Sequence, residues 1–161
     1  MNKLDATDRH ILELLQRDGR ITNAELAERI NLSPSACLRR VRRLEEEGVI
    51  DGYMARVNQA AIGKPCDVFI EITLNSQSEE SLQAFEAAVR DCPDVLESYL
   101  MSGDADYLLR IVAADTSDYE RIHKRYLSRL PGVARIRSNF ALRTISRRQL
   151  FNIAAPFDET S

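Results

Sequence analysis

The sequence predicts an α+β protein in two parts, an all-helical first third followed by a β-α-β-β-α-β remainder. Three observations carry this. Apolar residues recur at helical spacing, between strong caps, over the first fifty positions. Residues 58–66 have little periodicity and contain Gly63 and Pro65. From residue 67, β-branched runs alternate with amphipathic stretches. A length of 161 residues is enough for one large domain or two small ones. A hydrophobic content of 44% and a charged content of 29% fit a globular chain and exclude a disordered one. No apolar run approaches the ~20 residues of a membrane span. The start, MNKLDATDRH, has no signal-peptide core, so a cytoplasmic protein with no membrane partner is expected. Cys37, Cys66 and Cys92 are odd in number and far apart, with no CxxC pair. They are expected to be small buried side chains rather than metal ligands or half-cystines.

The first helix begins after Asp5 as its cap and runs to about Arg17, with Ile11, Leu14 and Leu15 on one face. "DGR" at 18–20 stops it. Thr22 and Glu25 have capping-box spacing and start a short second helix that buries Leu26, Ala27 and Ile30. "NLS" at 31–33 is the turn. In the third helix Ser33 is the N-cap and Pro34 takes the first helical position, where its missing N–H costs nothing. Leu32 and Cys37 match a hydrophobic staple. Cys37, Val41 and Leu44 point inward, and Glu45 to Glu47 and Gly48 close the helix. "VIDGYMARV" at 49–57 has strand character and is expected to form a wing.

Helix, short helix, tight turn and long helix make a winged helix-turn-helix. The formal net charge of −3 argues against nucleic acid globally, but Arg39, Arg40, Arg42 and Arg43 form a dense local patch, and local fields govern phosphate contact. Ser33 and Ser35 sit at the helix N-terminus, where free N–H groups favour a phosphate and hydroxyls can reach base edges. The candidate DNA-contacting residues are therefore Thr22 and Asn23 at the start of the second helix, Ser33 and Ser35 at the start of the third, and Arg39, Arg40, Arg42 and Arg43 along it. The alternative is a solvated helix whose arginines pair with Glu28 and Glu45 to Glu47.

The expected boundaries are 1–57 for this domain, 58–66 for a hinge, 67–145 for a second domain and 146–161 for a tail. In the second domain "DVFIEITL" at 67–74 is a strand. "SEESLQAFEAAVRDC" at 78–92 is a helix ended by Pro93. "VLESYLM" and "DYLLRIVA" are strands joined by "SGDA". "TSDYERIHKRYLSRL" at 116–130 is a helix with Ser117 and Glu120 as its capping box, and 134–145 is a last strand. This order gives a ferredoxin-like sandwich, with one sheet face covered by helices and the other left for a second subunit.

With both halves placed, the chain resembles the leucine-responsive regulatory protein (Lrp/AsnC, feast/famine) family. The resemblance runs from "LDATDRHILELLQRDGRITNAELA" through "LSPSACLRRVRRLEEEGVIDGY" to "SGDADYLL" and "LPGV". It implies a bacterial or archaeal transcription regulator, nucleoid-associated, that binds double-stranded promoter DNA. The family's C-terminal domain binds a small effector, typically an amino acid, where dimers meet, and builds dimers, octamers or larger assemblies. The effector-response positions fall here on Leu100, Gly103, Asp104, Asp106, Thr116, Asn139, Phe140 and Ala141.

The residues themselves suit a zwitterion. Asp104 and Asp106 can meet an ammonium, while Ser102 and the N–H groups around Gly103 can meet a carboxylate. Gly103 permits a φ > 0 turn, and aspartates two apart on an extended chain face one side. The alternative is a hairpin turn whose aspartates cap their own backbone. The apolar character of Leu100, Phe140 and Ala141 makes leucine or another apolar amino acid the leading effector. No cofactor or metal is expected. His10 and His123 have no nucleophile elbow, ligand cluster or phosphate loop around them, which argues against an enzyme. A DNA-packaging protein without an effector is the rival reading.

Overall fold

The computed structural model describes residues 4–147 and 150–153. It contains two compact units, one formed by the chain up to Arg56 together with the residues after Ile145, the other by Val57–Ile145. Most of the expected tail, residues 148, 149 and 154–161, lies outside the described residues.

The first unit is three helices: α1 Ala6–Arg17, α2 Asn23–Arg29 and α3 Pro34–Glu46. Each starts where the sequence places a cap. Asp5 accepts the Asp8 N–H while Asp8 accepts the Asp5 N–H, Thr22 and Glu25 do the same for α2, and Ser33 accepts the Ala36 N–H. Gly48 follows α3 at φ 68°, the left-handed turn that a glycine makes without strain. Ile11, Leu12, Leu26, Ala27, Ile30, Cys37 and Leu44 form the core. Ile153 packs against it from the far end of the chain. There its C=O accepts from Arg9, and the Gln16 amide bonds the Phe151 main chain in both directions, at 3.2 and 2.6 Å.

The strand expected over 49–57 does not form. A strand needs a neighbour for its ladder, and no other strand forms among the described residues of this unit. Met54, Val57 and Tyr53 are left 93%, 65% and 51% exposed. Residues 58–64, read from sequence as the start of a hinge, are an ordered turn. The Asn58 side chain accepts the Ala61 N–H, and Lys64 Nζ reaches Asp118 at 2.7 Å.

The second unit runs β1 Cys66–Leu74, α4 Glu79–Arg90, β2 Val95–Leu100, β3 Tyr107–Ala113, α5 Thr116–Arg125 and β4 Val133–Phe140. The sheet is antiparallel in the order β2-β3-β1-β4. Alternation sets its two faces. Val68, Ile70, Ile72, Leu109 and Ile111 are buried under the helices with Phe85 and Ile122. Phe69, Glu71, Leu108, Arg110 and Tyr99 lie on the opposite face.

Three boundaries differ from expectation. The cap of α5 is Asp115, which accepts the Asp118 N–H, not Ser117. In "DTSD" an earlier acceptor at the same spacing outcompetes the hydroxyl. The helix breaks at Tyr126 into a 3-10 turn at Leu127–Arg129. Strand β4 stops at Phe140, opposite Val68 and two residues from the start of β1, and the Ala141 N–H to the Asp67 C=O follows it. Leu142 and Ile145 beyond it are 99% and 79% exposed.

Candidate nucleic-acid interface and regulatory loop

Helix α3 divides its arginines by face. Arg39 and Arg42 are exposed and have no ion-pair partner among the described residues. Arg40 and Arg43 instead turn back to α1. Arg40 Nη1 donates to Asp5 at 2.6 Å and Asp8 at 2.8 Å, and Arg43 Nη2 donates to Asp8 at 2.6 Å. Asp8 is 1% exposed. The Asp8 N–H, with Arg40 beside it, holds the Asp5 carboxyl below its usual range, and the same carboxylates push the Arg40 guanidinium up. The alternative partners, Glu28 and Glu45 to Glu47, take little part: Arg43 approaches Glu47 only to 3.9 Å.

The remaining candidates separate in the same way. The Thr22 hydroxyl is engaged in its capping box with Glu25. The Asn23 amide donates to the Pro34 C=O at 2.8 Å, which fixes α2 against the start of α3. Ser33 is the cap, with its Oγ 3.2 Å from that of Ser35. A concavity of about 590 Å³ runs along α3, lined by Ser35, Leu38, Arg39, Arg40, Arg42, Arg43 and Glu46. Exposed hydroxyl at the helix N-terminus and two exposed guanidiniums further along suit backbone phosphates and base edges.

In the second unit the loop after β2 is closed at its base by main-chain bonds, from the Met101 N–H to the Asp106 C=O and from the Asp106 N–H to the Ile72 C=O. Asp106 is buried. Its carboxylate accepts the Leu74 N–H at 2.7 Å and the Gln77 amide at 2.7 Å. Ser102, Gly103 and Asp104 are exposed. The aspartates therefore do not face one side, because 102–106 is bent rather than extended. Gly103 does not use a positive φ either; among the described glycines that conformation belongs to Gly48, Gly63 and Gly132. What Gly103 leaves is space, since nothing lies within 4 Å of where a Cβ would sit.

The nine effector candidates fall into two groups. Leu100, Ser102, Gly103, Asp104 and Asp106 lie at the end of the sheet marked by the Leu100↔Tyr107↔Ile72 register. Thr116, Asn139, Phe140 and Ala141 lie at the other end, where Phe140 pairs with Val68 and Cys66 pairs with Ala113. Four residues of strand, about 13 Å, separate these levels. Phe140 is edge-on to Tyr119, with ring centroids 5.1 Å apart, and Asn139 reaches Glu71 only at 3.5 Å.

The open sheet face carries features that sequence reading missed. Arg110 bridges Asp67 and Glu97, meeting Asp67 at 2.9 and 3.0 Å. Asp67 is 6% exposed even in the isolated chain. Cross-strand register brings these charges together, and only pairing β3 correctly with both neighbours would have revealed them.

Residues 4–51 match the family model for winged helix-turn-helix DNA-binding, and residues 67–151 match that for the Lrp/AsnC ligand binding domain. The chain is 48% identical over 130 residues to the leucine-responsive regulatory protein of Salmonella typhimurium, covering 81% of this chain and 79% of that one. It is 41% identical to the Bkd operon transcriptional regulator of Pseudomonas aeruginosa, covering 92% and 97%. A transcriptional regulator of Neisseria meningitidis, solved as an L-Met complex, superposes with a TM-score of 0.87 at 34% identity, covering 92% and 96%. No helix among the described residues is long and apolar enough to cross a membrane. The chain belongs to the Lrp/AsnC family of DNA-binding transcriptional regulators.

Proposed function

We propose that this regulator reads promoter DNA through the exposed face of α3 and answers to an amino acid held by its second unit. Arg39 and Arg42 contact phosphates or guanine, and Ser35 reaches base edges. Arg40 and Arg43 fix α3 on α1, with Thr22, Asn23 and Ser33 setting the turn before it.

The effector reading rests on one observation: the exposed Ser102-Gly103-Asp104 tip stands on a base locked by Asp106. Asp104 meets the ammonium, and Ser102 and free N–H groups meet the carboxylate. Asp106 positions the loop. Leu100, Thr116, Asn139, Phe140 and Ala141 surround the ligand only if different subunits supply the two ends of the sheet, which suits a site between dimers. Apolar neighbours favour leucine or another apolar amino acid, in keeping with the L-Met bound by the Neisseria relative. Two copies pair through the open sheet face, burying Phe69, Leu108 and Tyr99 around the Arg110 charge cluster, and dimers assemble to octamers or beyond in the cytoplasm, on the nucleoid. Effector and DNA then alter each other's affinity reciprocally.

A thermal-shift panel of the twenty amino acids with Asp104→Ala alongside tests this. Ligand at a hundred times its dissociation constant adds about 2.7 kcal/mol. One or a few amino acids should raise the midpoint by roughly 5–10 °C, and Asp104→Ala should abolish the rise. No shift from any amino acid overturns the effector assignment in favour of effector-independent DNA packaging.

A further inference from the structure

The second unit segregates its charge along the chain. Residues 57–120 carry thirteen acidic and three basic side chains, whereas 121–145 carry seven basic and none acidic. Four of those seven, Arg121, Lys124, Arg125 and Arg129, lie on α5 and the 3-10 turn after it. With Ser117 and Glu120 they line an open concavity of about 480 Å³. Arg121, Lys124 and Arg125 share one face of α5, and the 3-10 turn after it brings Arg129 to the same concavity.

Part of this excess has a local explanation. Cations in a last helical turn complement the C-terminal dipole. Lys124 pairs with Glu120, and Arg121 pairs with Asp118 at 2.7 Å. The Lys124 pair is exposed and holds weakly in water, while Arg121 donates twice to the half-buried Asp118. Asp118 does not depend on Arg121, because its other oxygen accepts Lys64 Nζ at 2.7 Å and the Ala114 N–H at 2.9 Å. Arg125 lies over the Tyr126 ring, 5.3 Å from its centroid. Arg129 is exposed with no ion-pair partner among the described residues. Lys124, Arg125 and Arg129 can therefore turn to an external anion without unfolding anything, and Arg121 adds its charge from beside Asp118.

We infer that this face of α5 is a second DNA-contacting surface, which takes the sugar-phosphate backbone of DNA already engaged by α3. Four cations against one acid favour a polyanion, and phosphate contact needs no sequence-reading group. The lining has no aromatic or aliphatic anchor of the kind on which protein interfaces centre, so a second copy of the chain fits it poorly. Weak contacts suffice here, because DNA held at α3 is present at high effective concentration.

The full chain carrying Lys124→Gln, Arg125→Gln and Arg129→Gln together tests the surface. Its affinity is measured against salt on a duplex of about two helical turns, enough for two recognition helices, and on one of about 150 bp. On the long duplex the triple variant should bind at least tenfold more weakly at physiological salt, with a log K against log salt slope shallower by about 2–3 per protomer. On the short duplex its affinity should stay within twofold of the parent. Arg42→Gln should weaken both lengths. If it weakens neither, the assignment of α3 fails independently of this one. An unchanged long-duplex slope overturns the proposal, as does an equal loss on both lengths. A changed sedimenting mass with an unchanged slope overturns it in favour of a protein contact.

Discussion

Removing the Asp8 carboxylate should loosen the recognition helix more than removing any single arginine from it. Asp8 is 1% exposed and accepts Arg40 at 2.8 Å, Arg43 at 2.6 Å and the Asp5 N–H at 3.2 Å. A hydrogen bond to a charged group contributes about 1.5–3 kcal/mol. Two would give roughly 3–6 kcal/mol, but the Arg40 and Arg43 side chains are 30% and 42% exposed and can turn to water. Arg40 also keeps Asp5 at 2.6 Å. Discounting for both, Asp8→Ala should cost about 2–4 kcal/mol, or roughly 10–20 °C in the midpoint of a unit this small. Hydrogen exchange of α1 and α3 amides isolates that loss from the sheet. Asp8→Asn keeps one acceptor and should recover about half of it. A double-mutant cycle between Asp8→Ala and Arg43→Ala should show coupling above about 1 kcal/mol. A cost below 0.5 kcal/mol for Asp8→Ala, or additivity in the cycle, refutes the clamp.

Arg39→Ala and Arg42→Ala should each lower DNA affinity and make the salt slope shallower by about 1, read by fluorescence anisotropy across a salt series. Arg40→Ala should change the slope less and stability more. Asp106→Asn should destabilise the second unit by about 1–3 kcal/mol, because the Leu74 N–H and Gln77 amide lose an ionised acceptor; a denaturant midpoint measures it. Gly103→Ala should leave stability within about 0.5 kcal/mol, since its Cβ meets only open space. Lys64, the Ala114 N–H and Arg121 hold the Asp118 carboxyl far below its ordinary 3.8. Its folded-state value is depressed, so its stabilisation is complete above about pH 5 and fades as pH falls through and below 3.8. Lys64→Met should flatten that acid limb in a stability–pH profile. Burial and the Glu86 acceptor push Tyr107 up to about 12. Its native absorbance titration should lag that of the unfolded chain, and stability should decline as pH rises from about 10 towards 12.

What was legible in the sequence was local. Asp5, Thr22 and Ser33 each lie three residues from the N–H they accept, so a linear reading finds them. The apolar stripe through Cys37 and Leu44 follows from helical periodicity in the same way. The Asp8 clamp spans 32 and 35 residues, and nothing near Arg40 or Arg43 announces it. Without that contact the four clustered arginines look equivalent, although among the described residues Arg40 and Arg43 are paired and Arg39 and Arg42 have no ion-pair partner. Asp106 misleads for the mirror-image reason. As one of two aspartates beside a glycine it resembles a ligand group, yet its partners Leu74 and Gln77 lie 32 and 29 residues back. Strand character over 49–57 failed because side-chain composition says nothing about whether a neighbouring strand exists.

The return of the chain to its first unit makes the second unit an insertion. The regulatory fold is spliced between Arg56 and Ser146 of a DNA-binding fold whose last piece is supplied by residues 150–153. An excised fragment ending at Arg56 is therefore an incomplete domain. It lacks the apolar side chain of Ile153 and leaves Gln16 and Arg9 to water. The cleaner dissection is to join the two flanks by a short polar linker and delete what lies between. Such a chain keeps Ile153 on the three-helix core and the bonds from Arg9 and Gln16 to residues 153 and 151, and its DNA affinity would measure that unit without the insert.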